Sequence, residues 1–288
     1  MDVLLVVLIQ TLNSIAVLAL LSVGLAVIFG MMGVMNFAHG ELLMLGAYTL
    51  LLSTKAGINI FVSMFIVTPV VVGLIGIIME RLIFRHLYGR MVDTLLATWG
   101  LSLLITGIMT TVFGNAIQGI LTPLGSFQIG NMQESVYRVF MIGVVIVLLT
   151  GGYVFLKFTR WGLIARGTMG NPAQASILGV NSHTVYTITF GTGAALSGLA
   201  GAVIAPISGV LPTMGPAYVA KAFITVIGGG EAILAGTTSA AFLFGTVNQL
   251  FTYVASGVVG EVALLVAAVI LLRVMPQGIT GSIFRRSM

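Results

Sequence analysis

Cysteine is absent from the 288 residues, so disulfides, thiolate metal sites and thiol redox motifs are excluded. Charge is nearly as scarce. Only 7% of the residues are charged, 12 basic and 7 acidic, against 58% hydrophobic. A soluble domain is about 25% charged, because its outer layer faces water. So few charges cannot clothe a soluble globule of this length, and a mean hydropathy of +1.16 says the same. A soluble enzyme, a nucleic-acid-binding domain and a secreted disulfide scaffold are thereby excluded. The pI near 9.8 does not argue for nucleic acid, because the basic residues sit in short clusters between apolar runs.

Several catalytic signatures are missing too. The three lysines, Lys55, Lys157 and Lys221, follow Thr54, Leu156 and Ala220, so there is no Gly-Lys-Ser/Thr phosphate loop. No polar segment is long enough for a nucleotide-binding domain, so the chain cannot hydrolyse ATP itself. Gly-x-Ser-x-Gly, His-Glu-x-x-His and carboxylate-dyad patterns are absent, and no enzyme activity is expected. His39, His86 and His183 show no paired spacing, so no metal site is expected.

What is present is a succession of apolar runs. A spanning helix needs about 20 apolar residues. Val3–Gly30, Ile60–Met79, Thr94–Phe113, Val139–Leu156, Val185–Ile207, Ile233–Ala255 and Val259–Leu272 qualify. The first is read as a mature span, because no basic segment precedes it and no cleavage site ends it. Leu42–Ser53 and Tyr218–Ile227 are shorter, spanning roughly 15–20 Å as helices. Nine of the twelve positive charges fall in three groups: Arg81, Arg85 and Arg90; Lys157, Arg160 and Arg166; and Arg273, Arg285 and Arg286. These segments are placed in the cytoplasm, and Gly114–Ser135, which has no basic residue, outside. Parity then requires both short segments to cross, giving about nine crossings with the N-terminus outside, or about eight if one is re-entrant. The expected fold is an all-α polytopic membrane protein with about eight to nine transmembrane helices, short or broken ones included. It is read as one transmembrane domain over residues 1–288, with a cytoplasmic loop at about 157–184.

Helix-breaking residues border both short segments. Gly30, Gly33, Asn36, His39 and Gly40 precede the first. Gly209 through Pro216 and the triple glycine Gly228-Gly229-Gly230 flank the second. Unwound backbone at membrane depth is tolerated where it is buried in protein or lines a wet cavity, so interrupted segments in both halves point to a transport path. Gly40-Glu41 through Gly46 and Gly230-Glu231 through Gly236 share a Gly-Glu-(four apolar)-Gly pattern, an echo compatible with internal duplication or with chance. The candidate path residues are Asn36, His39, Gly40, Glu41, Lys221, Gly228, Gly229, Gly230, Glu231 and Asn248. Against a path role, Glu41 and Glu231 would each sit in the first turn of a helix, complement its positive end and face headgroups. His39 is expected to be a hydrogen-bonded packing residue.

The stretch Arg160–His183 contains a fully punctuated short helix. Asn171 suits the N-cap, Pro172 the first helical position and Gly179 a left-handed C-terminal turn. A helix of about two turns is marginal alone and needs a surface to pack on. That surface is either a docking motor protein or the lipid headgroups. Ala173, Ile177 and Leu178 would suit both.

At this point the motifs resemble a known family. Gly33-Val-Met-Asn36-Phe-Ala-His39-Gly40-Glu41, with Leu45-Gly46-Ala47-Tyr48, looks like the N-terminal signature of the branched-chain amino acid permeases of ATP-binding-cassette importers. Arg166 through Asn181 looks like that family's cytoplasmic segment. Ala222-Phe223 through Gly228-Gly229, Gly236 and Pro276-Gln277-Gly278 carry the likeness to the C-terminus. The resemblance implies one of two related permease subunits in a bacterial inner membrane, with a cytoplasmic C-terminus. Two cytosolic ATPases would bind ATP and magnesium, this chain holding no cofactor, and an external binding protein would deliver the solute. It also implies that Arg166, Asn171, Pro172, Ala175, Ile177, Leu178 and Gly179 belong to the ATPase-coupling loop. The family includes urea and short-chain amide permeases. Gly228-Gly229-Gly230-Glu231 departs from its usual glycine-glycine-x-glycine pattern, so the substrate subgroup stays open. An ion-coupled secondary transporter using Glu41, Glu231 and Lys221, and a passive small-solute channel, are the competing readings.

Overall fold

The computed structural model describes residues 2–130, 132–230 and 232–284. Glu231, Arg285 and Arg286, used in the sequence reading, lie outside the described residues. In chain order the helices are α1 (Asp2–Met32), α2 (His39–Lys55), α3 (Ile60–Val62), α4 (Thr68–Leu82) and α5 (Met91–Phe113). They continue with α6 (Val136–Phe158), α7 (Arg160–Gly170), α8 (Pro172–Ile177), α9 (Ser182–Ser208) and α10 (Met214–Gly229). The last are α11 (Ile233–Val254), α12 (Gly257–Val274) and α13 (Gly278–Phe284). A π-helical turn, Ser63–Val67, joins α3 to α4, and the whole continues as one apolar span, Ile60–His86.

The chain is an all-α polytopic membrane protein. Six helices among the described residues are long and apolar enough to cross a membrane, and α10 with α11 makes a seventh if the two count as one span. Nine crossings are reached when α2, α10 and α11 each count, and eight when two of them do. The short segments are longer than expected: α2 has 17 residues and α10 has 16, about 25 Å each. His39-Gly40-Glu41 and Met214-Gly215-Pro216, read as breaks, continue the helices instead. The segment between α5 and α6 also holds a small antiparallel ribbon, β1 (Ser126–Ile129) with β2 (Met132–Ser135), Phe127 facing Glu134. The hydropathy reading had no place for strands there.

The chain divides into two compact units. One comprises residues 23–121 and 151–220. Its centre is α9, 78% buried over its most apolar window, whereas α5 is 17% buried there. That difference follows from composition. Along α9, Gly193, Ser197 and Gly201 recur at four-residue spacing, and small residues let helix backbones meet where lipid gives no hydrophobic drive. A Cβ at Gly46 of α2 would collide with the backbone of Gly198, and one at Gly201 with that of Leu43. Around this seam Ile28, Leu42, Val72, Phe84 and Phe190 form a buried cluster, with Phe84 and Phe190 ring centroids 4.5 Å apart. On α5, Leu96, Trp99 and Leu103 are exposed, as expected of a helix wall facing lipid.

The other unit comprises residues 1–22, 122–150 and 221–288. In it α11 packs against α12, and Gly260 meets Thr252 and Asn248 so closely that a side chain would not fit. Buried Leu264, Ala268 and Leu271 form the inner face of α12, while Val262, Val266, Val269 and Ile270 point outward. This wide apolar stripe facing outward suits a lipid solvent.

Candidate functional site

The first helix break, residues 33–38, is stitched rather than loose. Asn36 Oδ1 accepts from Ala38 N at 3.0 Å, an Asx-type turn, and Thr98 Oγ1 on α5 accepts from Phe37 N at 3.2 Å. Asn36, His39 and Glu41 are all fully buried. His39 Nδ1 lies 3.4 Å from Ser197 Oγ, as expected of a packing histidine. Gly40 touches the backbone of Gly215 so closely that no side chain could replace it. Glu41 does sit in the first turn of α2, but it does not face headgroups. Ser102 Oγ donates to its Oε1 at 2.8 Å, and a side chain at Gly215 would strike its carboxyl. Neighbouring elements close over the helix start, and hydropathy along one segment cannot register that.

The second break, between α10 and α11, is closed by one hydroxyl. Thr280 Oγ1 donates to Gly229 O at 2.6 Å and accepts from Ala232 N at 3.2 Å. It thus serves both the last carbonyls of one helix and the first N–H groups of the next, which no intrahelical bond can satisfy. Gly230 has φ +83°, which ends α10 in the left-handed region. Gly228 lies against the Phe244 ring, Gly229 against the Gly236 backbone, and Gly230 against Gln277 and Gly278. The triple glycine is therefore a close-packing device as well as a break.

The short helix α8 is capped at both ends as expected. Asn171 Oδ1 accepts from Gln174 N at 3.1 Å, and Pro172 is the first residue of α8. At the other end Gly179 N donates to Ser176 O and Val180 N to Ala175 O, with Gly179 at φ +84°. Those two bonds are a Schellman motif. Ala175 is buried, whereas Ile177 and Leu178 are 85% and 84% exposed. Arg166 is exposed and folds back on α7, its Nε donating to Gly162 O at 3.3 Å.

Sequence reading missed a buried carboxylate beside this loop. Glu80, fully buried near the end of α4, accepts from Tyr88 Oη at 2.7 Å and from Thr187 Oγ1 at 2.6 Å. Arg85 Nε stands 3.9 Å away. Burial, then the bond to Glu80, hold the Tyr88 hydroxyl well above its ordinary pKa. Glu80 thus anchors the first turns of α9, the helix that α8 feeds.

A cavity of about 430 Å³ lies within the second unit, in the size range of small-molecule sites. Two of the expected path residues, Lys221 and Asn248, line it, together with Gln10, Arg138 and Glu261. Val17, Leu18 and Leu264 supply an apolar wall. Lys221 Nζ and Glu261 Oε1 form an ion pair at 2.6 Å. Arg138 pairs with Glu134 at 2.9 Å, and Gln10 Nε2 donates to the other Glu134 oxygen at 2.8 Å. Ser14 Oγ donates to Asn248 Oδ1 at 3.3 Å. Glu261, within the apolar run that begins at Val259, was the available signal, since an ionisable residue in a span marks a functional site by default.

Residues 7–275 match a family described as branched-chain amino acid transport system, permease component. The chain is 25% identical over 281 residues to the high-affinity branched-chain amino acid transport system permease protein LivH of Escherichia coli K12, covering 91% of each chain. It is 27% identical to the probable branched-chain amino acid transport permease protein LivH of Methanocaldococcus jannaschii, over 92% of this chain and 88% of that one. It is 26% identical to the high-affinity branched-chain amino acid transport system permease protein BraD of Pseudomonas aeruginosa, over 91% of each. No solved structure matches the chain.

Proposed function

The chain belongs to the family of permease components of branched-chain amino acid transport systems, and we propose that it builds the solute path of an ATP-driven importer for branched-chain or other hydrophobic amino acids. Relatives named for that cargo span nearly the whole chain, and they support this substrate over urea or a short amide. The path would be shared with a second, related permease subunit. Two cytosolic ATPase subunits would bind ATP and magnesium, and an external solute-binding protein would deliver the amino acid.

The observation that carries the reading is the Ile177–Leu178 pair on α8. A lone surface apolar residue means little, but two adjacent ones, held out by a helix capped at both ends, form a ready-made docking knob. The competing ion-coupled and passive readings leave that knob only the lipid headgroups to rest on and give its double capping no task in transport. Arginine-rich segments at 81–90 and 157–166 would place this loop in the cytoplasm of a multi-pass cytoplasmic-membrane protein, with the C-terminus on the same side.

Deletion of the gene in its own host tests the cargo. Uptake of labelled leucine, isoleucine and valine should fall and return with the plasmid-borne chain. A deletion that abolishes urea or amide uptake while leaving all three amino acids unaffected would overturn the assignment.

A further inference from the structure

The two ion pairs at the cavity differ in how firmly their charges are committed. Both Glu134 oxygens are engaged, one by Arg138 and one by Gln10, and the carboxylate is buried. Arg138, which lines the cavity, is thus held in place by a carboxylate behind it. Lys221 and Glu261 touch each other through one Nζ–Oε1 contact, which leaves two ammonium hydrogens and one carboxylate oxygen over. Their side chains are 27% and 59% exposed. Charges in a spanning segment are costly and persist where they face a path or a partner. An exposed single-contact pair, moreover, adds little stability.

Together the four groups carry no net charge, so the cavity suits a solute with no net charge but two opposite poles. We propose that the Lys221–Glu261 pair is the zwitterion clamp of the transport path. The α-carboxylate of a hydrophobic amino acid binds Lys221 Nζ, and its α-ammonium binds Glu261. The branched side chain lies along Val17, Leu18 and Leu264. The incoming zwitterion exchanges one ion pair within the protein for two between protein and solute, so the charge balance of the cavity is unchanged. A urea or amide path needs only amide and hydroxyl partners and gives the two charges no task. This inference rests on the amino-acid reading above and names the groups that would execute it.

The position along the chain agrees. Gln10 lies at the start of α1, Arg138 at the start of α6, Thr252 at the end of α11 and Glu261 at the start of α12. The charge rule assigns each of these helix ends to the external side, where a binding protein would release its cargo.

The test is equilibrium binding of labelled L-leucine to the full chain in its assembled complex, with three competitors: L-leucinamide, 4-methylpentanoate and urea. Leucinamide lacks the carboxylate and 4-methylpentanoate the ammonium. Each should compete at least tenfold less well than leucine, and urea not at all. Lys221→Met should weaken leucine at least tenfold while changing leucinamide little. Glu261→Gln should weaken leucine at least tenfold while changing 4-methylpentanoate little. A variant that merely misfolds would lose all ligands together, so this ligand-selective split separates recognition from damage. Leucine binding that is unaltered in both variants, or analogues that compete as well as leucine, overturns the clamp. If cells depend on the chain for leucine uptake and yet either result is found, the clamp fails while the amino-acid reading stands. If urea displaces leucine-site label and uptake of amino acids does not depend on the chain, both fail.

Discussion

Thr187 of α9 donates a 2.6 Å hydrogen bond to Glu80 near the end of α4, joining two helices 107 residues apart in the chain. The carboxylate is fully buried and also takes the Tyr88 hydroxyl. Since α8 leads directly into α9, this junction fixes the base from which the exposed Ile177–Leu178 pair projects. Thr187→Val leaves a buried carboxyl oxygen short of a donor, at a cost of about 1–3 kcal/mol. Thermal unfolding of the purified variant should show that loss, and Thr187→Ser, which restores the hydroxyl, should recover it.

Tyr88 makes the same junction sensitive to alkali. Its hydroxyl is held above its ordinary pKa by burial and by the bond to Glu80. A group whose folded pKa is raised contributes stability fully below its unfolded value, near 10 for tyrosine, and loses it as pH climbs toward the folded value. Stability of the wild-type chain should therefore decline above about pH 10. Tyr88→Phe should be less stable at neutral pH and show a shallower decline, read from unfolding midpoints across pH 8–11.

Thr280 should be as important to the second helix break as a residue in the core. Its hydroxyl bonds Gly229 O and Ala232 N together. Thr280→Val keeps the volume and removes both bonds, leaving the buried Gly229 carbonyl unpaired at about 1–3 kcal/mol, with a smaller loss at the half-buried Ala232 N–H. Lower yield of folded protein from membranes, rescued by Thr280→Ser, is the expected result.

The α2–α9 seam has no room for a side chain. Gly46→Leu places bulk into the Gly198 backbone, and helix association in lipid depends on such close approach. The variant should insert yet become protease-sensitive. The same substitution at Gly107 of α5, where a Cβ would have no neighbour within 4 Å, should be tolerated.

Much of this was legible in the sequence where the signal is local. Asn171, Pro172 and Gly179 announced α8 because capping is a matter of a few neighbouring residues. The long spans were legible because lipid demands unbroken apolar runs. The cavity was only half legible. Lys221 and Asn248 stood out as polar residues in apolar surroundings, but Arg138 and Glu261 join them only through tertiary packing. The burial of Glu41 was misjudged for the same reason, because Ser102 and Gly215, which enclose it, come from distant segments. Glu80 was passed over because one carboxylate beside an arginine loop reads as ordinary surface charge.

ATP-driven leucine uptake by proteoliposomes holding the complete complex, wild type against Ile177→Asp/Leu178→Asp, is the most direct measurement. Both side chains are about 85% exposed, so their replacement should leave folding and insertion intact. Uptake in the variant should fall at least tenfold, with leucine binding retained and stimulation of the ATPase lost. Uptake and ATPase stimulation equal to wild type would contradict the account that this chain is a permease driven through α8.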